Sequence, residues 1–154
     1  MVNWQEIERD APEFAARVRA VFGLGTHKTI ATLRSDGSPR ISGTELEFSD
    51  GEVTLGMMGG SMKLRDVRRD NRVAVHSPTI EPPKPDEPGT WAGDAKLAGR
   101  LVGVPAPPDT PHADAGFFRV DIAEVALTYL GEPADHLAIE SWHPGRGHRM
   151  RTRA

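Results

Sequence analysis

The chain has 154 residues, 38% of them hydrophobic and 27% charged, with a net charge of −3 and no cysteine. These values describe one globular domain with a core of its own. They exclude disulfides and thiolate metal sites, and they give no global charge for holding nucleic acid or an anionic membrane. No apolar run approaches the roughly 20 residues of a membrane span and no signal-like segment leads the chain, so a cytoplasmic protein is expected.

Trp4, Ile7, Ala11, Phe14, Ala15, Val18, Val21 and Phe22 recur at three- and four-residue steps. That spacing predicts an amphipathic helix over residues 1–24, or two helices broken near Pro12. Asn3 with Glu6 resembles a capping box and Gly23 a stop; the segment is expected to cover a core and to carry no chemistry. From Thr26 the period changes to two. His27–Arg34 reads as a strand, Ser35-Asp36-Gly37-Ser38 as a hairpin turn, and Pro39–Phe48 as the return strand. Ser49-Asp50-Gly51 is a second such turn, followed by a strand over Glu52–Met58 with Val53, Leu55 and Met57 on one face.

Next comes Gly59-Gly60-Ser61-Met62-Lys63, a glycine-led start to a helix over about residues 61–70. Ser61 is placed to cap that helix, whose free N–H groups suit an anion. Lys63 is a cation where the helix dipole disfavours one, a conflict that a bound phosphate resolves. An Arg-rich solvated crossing fits the same residues. Short strand Arg72–Ser77 follows, then a stiff loop over 78–88 with five prolines. Trp91–Val104 reads as a long strand with a bulge or coil at Gly99. A second Pro-rich loop spans 104–115, and Phe117–Leu130 and Leu137–Trp142 are the last strands. Residues 143–154 read as a frayed, solvated tail despite the arginines between Arg146 and Arg153. Six or seven antiparallel strands with few helices predict a mainly β, α+β domain spanning 1–154, closed or nearly closed as a barrel.

The six histidines show no helical ligand spacing, so no metal site is expected. Nucleophile-elbow, Walker and dinucleotide-binding motifs are absent. Glu45 and Glu47 fall two residues apart on one strand and read as a charged outer face. What remains is a set of cations and hydroxyls at neighbouring strand ends. Arg40, Ser42 and Thr44 alternate along one side of the second strand; Gly56 ends the third; Ser61 and Lys63 open the helix. Two hairpin-connected strands are neighbours, so Arg40 and Lys63 are candidates to converge on one phosphate. Met57 and Met58 offer soft apolar walls to a flat ring, although Met57 equally fits an ordinary core position.

The order of two hairpins, then Ser61-Met62-Lys63, Val67-Arg68-Arg69-Asp70-x-Arg72-Val73 and a strand, resembles the pyridoxamine 5′-phosphate oxidase-like family of split β-barrels. The likeness in layout runs from about His27 to Trp142. It implies a homodimer binding FMN, or in some branches the deazaflavin coenzyme F-420, in clefts at the dimer interface. Under it, Arg40 takes the place of a phosphate-binding arginine, Ser61 and Lys63 match a Ser-Arg-Lys phosphate motif, and Gly56, Met57 and Met58 run beside the isoalloxazine ring. Glu140-Ser141-Trp142-His143-Pro144-Gly145 resembles a segment supplied from the partner subunit, so Trp142 is expected either to close the partner's cofactor cleft or to fill its own barrel. Met62 replaces the motif's middle arginine, and the Arg-Leu-x-x-Arg substrate motif is not reproduced after Trp142. The expectation is an FMN- or deazaflavin-dependent oxidoreductase acting on a small organic substrate, with no catalytic side chain assigned and with true pyridoxamine-phosphate oxidase activity in doubt. A non-catalytic flavin- or ligand-binding module, or a cofactor-free dimeric scaffold, is the alternative.

Overall fold

The computed structural model describes all 154 residues. It contains three helices, α1 (Trp4–Asp10), α2 (Pro12–Phe22) and α3 (Met62–Arg69). The nine strands are β1 (Lys28–Leu33), β2 (Pro39–Thr44), β3 (Glu47–Ser49), β4 (Glu52–Met57), β5 (Arg72–His76), β6 (Asp94–Gly103), β7 (Gly116–Leu130), β8 (Leu137–His143) and β9 (Gly147–Arg153). The N-terminal segment is two helices: Asn3 Oδ1 accepts from the Glu6 N–H, and Pro12 opens α2 where its missing N–H costs nothing. Both helices turn their apolar residues inward, with Trp4, Ile7, Phe14, Val18 and Phe22 fully buried.

All strands join one antiparallel sheet in the order β2-β1-β5-β6-β7-β4-β3, with β8 beside β7 and β9 beside β8. The two ends of that order, β2 and β3, are consecutive in the chain and separated only by Glu45 and Leu46. The sheet therefore curls until its ends nearly meet, which is the expected α+β barrel. Its split lies on β7. One edge of this 15-residue strand pairs with β6, while the other is shared, β4 taking Gly116–Arg119 and β8 taking Val125–Leu130. The register slips between Ala98 and Gly99, as the glycine predicts. A Cβ on Gly99 would come within 2.1 Å of the Asp121 carbonyl oxygen, so only glycine permits this approach. Inside the barrel, Ile30, Val53, Leu55, Val75, Leu97, Val120 and Ile122 form one apolar cluster with α1, α2 and the inner side of α3. No helix is long and apolar enough to cross a membrane.

Two sequence expectations change. The return strand expected over Pro39–Phe48 is interrupted, because β2 pairs with β1 and β3 with β4, at opposite ends of the sheet order. Glu45 and Glu47 therefore do not share one continuous strand face. The end of the chain, expected to fray, is strand β9, in register with β8 from Gly147 opposite His143 to Arg153 opposite Leu137. Gly145 and Gly147 carry the positive φ angles, 78° and 71°, that fold it back. With β9 and the separate β3 the sheet holds nine strands.

Candidate functional site

Helix α3 starts as its sequence dictates. Ser61 has extended backbone and its Oγ accepts from the Leu64 N–H at 3.3 Å. Leu64, Asp66 and Val67 face inward and are buried. Asp66 is the centre of a network that sequence reasoning passed over. Only 1% exposed, it accepts from Thr32 Oγ1 and Arg40 Nε, each at 2.7 Å, and from Arg69 at 3.2 Å. Burial pushes this carboxyl up, but the hydrogen bonds from Arg40, Thr32 and Arg69 together outweigh it and hold it below the usual carboxylate range. Its signal in the sequence was its place between Leu64 and Val67 on the anchoring stripe of a short helix, opposite a strand carrying an arginine.

The network fixes one end of Arg40 and leaves the other free. Nε is committed to Asp66, while the terminal amino groups have no partner within the chain. Lys63 also ties α3 to β2, its ammonium donating to the Gly43 carbonyl. The structure thus brings Arg40, Ser61 and Lys63 to one junction between β2 and the start of α3. Ser42 shares the Arg40 side of β2 and is half-buried, whereas Thr44 is buried at 6% exposure. The chain neighbours of these residues, Ile41 on the opposite face of β2, Met58 and Met62, are exposed apolar side chains.

The two methionines divide. Met57, at 2% exposure, belongs to the core, and Met58, at 74%, points outward. Gly56, Met57 and Met58 line a cavity of about 350 Å³ with His112, Asp114 and Phe117. Gly56 gives the Phe117 ring its place, since a Cβ there would lie 3.2 Å from it. Gly59 is likewise covered by the Asp114 carboxylate.

Trp142 stands apart from these residues. It is 5% exposed inside its own chain, and its ring N–H donates to Asp10 Oδ2 at 2.7 Å. Within the single chain this is the environment of a core residue. Asp10 lies on α1, so the helical segment expected only to cover the barrel also supplies polar partners. The next helix supplies another. Arg17 makes two hydrogen bonds of 2.6 Å to Glu140, which also accepts from Tyr129 at 2.6 Å and contacts His148 Nε2 at 2.7 Å. Burial pushes the Glu140 carboxyl up, but the hydrogen bonds from Arg17, Tyr129 and His148 prevail and lower it to about 2. Its position between Ala138 and Trp142 on the inward face of β8 was the signal that sequence reasoning missed. Beside this network α2, Trp91 and the end of β7 enclose a mostly apolar cavity of about 470 Å³ that no residue of the β2–α3 junction reaches.

No protein-family model matches this sequence. No curated protein matches it either. Solved structures do match in shape. A pyridoxamine 5′-phosphate oxidase-related, FMN-binding protein from Nostoc punctiforme superposes with a TM-score of 0.64 at 12% identity, covering 94% of this chain and 96% of its own. PhzG from Burkholderia lata, solved with tetrahydrophenazine-1-carboxylic acid, gives 0.61 at 12% identity, covering 92% and 86%. A protein described as an F-420 reductase gives 0.50 at 17% identity, covering 68% and 92%. At these identities the likeness establishes the fold, the split barrel that the motif order implied.

Proposed function

We propose that this chain binds a phosphate-bearing ring cofactor, FMN or the deazaflavin coenzyme F-420, at the junction of β2 and α3. It would act as a homodimeric oxidoreductase on a small organic substrate. One observation carries the reading: buried Asp66 grips Arg40 through Nε alone, so the guanidinium is held at a fixed angle with its terminal amino groups free. A guanidinium oriented in this way is prepared for a phosphate, with less side-chain entropy left to lose on binding. The Ser61-capped start of α3 adds unpaired N–H groups and Lys63 a second cation. When bound, the cofactor would supply the hydride chemistry. This chain's residues bind and orient it: Arg40 and Lys63 at the phosphate, and Met58 and the backbone of Gly56 along the ring. Ile41, Met58 and Met62 are exposed apolar side chains that a ring or a second copy of the chain would cover. The FMN-binding protein and the F-420 reductase of the same shape support this choice of cofactor.

The visible spectrum of the purified protein, with quenching of added FMN or deazaflavin fluorescence, tests the proposal. Binding is expected, weakened by roughly 1.5–3 kcal/mol in Lys63→Ala as one charge-assisted phosphate contact is lost. A colourless protein that quenches neither cofactor would refute it. Met62, an apolar side chain at the first helical position, favours a second reading: binding without catalysis. Cofactor that stays bound but is never reduced by any donor would select that reading.

A further inference from the structure

The strand closing the chain gives one face of the sheet a charge unlike the rest of the molecule. Along β9, Arg149, Arg151 and Arg153 occupy alternate positions and share a face, about 7 Å apart along the strand. The intervening His148 turns the other way, toward Glu140. Register extends the arginine face across four strands: Arg149 lies opposite Ser141, Ser141 opposite Ala126, and Ala126 opposite Lys96. Arg151, Ile139 and Thr128 form the adjoining row. Small side chains thus make a floor, with Lys96 along one side and the arginines along the other, three strand spacings or about 14 Å across. The trough encloses about 600 Å³, and Arg146 from the β8–β9 turn adds a fifth cation to its rim.

None of these five cations takes part in an ion pair or side-chain hydrogen bond within the chain; of the two carboxylates on the face, Glu124 lies 3.4 Å from His143 Nε2 and Asp94, at the end of the adjoining row, 3.6 Å from His76 Nε2. Arg149, Arg151 and Arg153 repel one another along the strand, although the net charge of the chain is −3. A local rule broken without compensation inside the fold points to something outside it. We propose that this trough binds a compact polyanion, a small molecule with at least two phosphate or carboxylate groups that meets Lys96 on one side and Arg149 and Arg151 on the other. The lining holds no phenyl or indole ring on which nucleic-acid bases would stack, and the volume suits a small molecule. Arg40, Ser61 and Lys63 lie outside the trough, so the proposal stands whether or not a flavin binds.

Calorimetric titration of the full chain, without added flavin, with inorganic triphosphate and separately with citrate tests it. One-to-one binding of at least one probe is expected, weakening as salt is raised. Triphosphate alone would identify a phosphate ligand, and citrate alone a carboxylate ligand. The double substitution Arg149→Ala and Arg151→Ala, at two exposed positions, is expected to lower affinity about tenfold or more. Lys96→Ala should lower it from the far side of the trough, giving a second reading if the arginine variant misfolds. Binding that Lys63→Ala abolishes would place the anion at the β2–α3 junction and overturn the proposal. Failure of the native protein to bind either probe at low salt would overturn the proposal, as would binding that the arginine and Lys96 substitutions both leave intact. Binding confined to single-stranded oligonucleotides, or a dimer that the arginine substitutions dissociate, would also overturn it by assigning the face to another occupant.

Discussion

Replacing Glu140 by glutamine probes the most heavily bonded carboxylate in the molecule. Glu140 is 3% exposed and has three side-chain partners, Arg17, Tyr129 and His148, which join α2, β7 and β9 to β8. Its carboxyl is lowered from 4.5 to about 2. At about 1.4 kcal/mol per pH unit this corresponds to about 3 kcal/mol favouring the folded state. The folded value lies below the unfolded one, so the contribution is complete above about pH 5 and is lost as pH falls from there toward 2. Glutamine keeps the shape but removes the charge, and its amide cannot accept every bond that the carboxylate accepts. Urea unfolding of both proteins across this range is the assay. Glu140→Gln is expected to be less stable by roughly 2–4 kcal/mol at pH 7, with the gap closing as the native protein loses stability in acid. Other carboxylates titrate in both proteins, so the difference between the curves isolates Glu140. Parallel curves, or equal stability at pH 7, would refute the reasoning.

Asp66→Asn removes the buried charge that pairs with Arg40 and Arg69 and turns one of its two acceptor oxygens into a donor, and is expected to cost roughly 3–5 kcal/mol in urea unfolding. The same substitution should weaken flavin binding by freeing Arg40, although Asp66 itself would touch no ligand; unchanged affinity would show that Arg40 needs no orientation. Trp142→Phe, which removes the bond to Asp10, should lower stability by roughly 1–3 kcal/mol while leaving cofactor affinity intact, measured by thermal melts and fluorescence quenching. Gly99→Ala should lower the melting temperature, because its Cβ meets the Asp121 carbonyl; the overlap is worth about 1–3 kcal/mol or more. Ser61→Ala removes the α3 cap at a cost of about 1 kcal/mol in the same melts.

Local patterns were legible in the sequence wherever one short stretch sets its own conformation. Asp36-Gly37 and Asp50-Gly51 gave both hairpin turns, and Gly37, Asp50 and Gly51 take the positive φ values such turns need. Ser61 announced the start of α3, and the apolar spacing from Trp4 to Phe22 announced α1 and α2. Strand β9 was not legible, because its seven residues are polar or exposed on both faces and leave no hydrophobic period to read. Tertiary structure alone decided which cations are committed. Asp66 holds Arg40 by one nitrogen, Glu140 takes both terminal nitrogens of Arg17, and the arginines of β9 have no partner in the chain. The first two outcomes rest on contacts between residues 26 and 123 positions apart, brought together by tertiary packing that no local window contains. The sequence by itself determined the elements and the motif at the start of α3. Folding determined which charges are satisfied within the chain and which remain for a ligand.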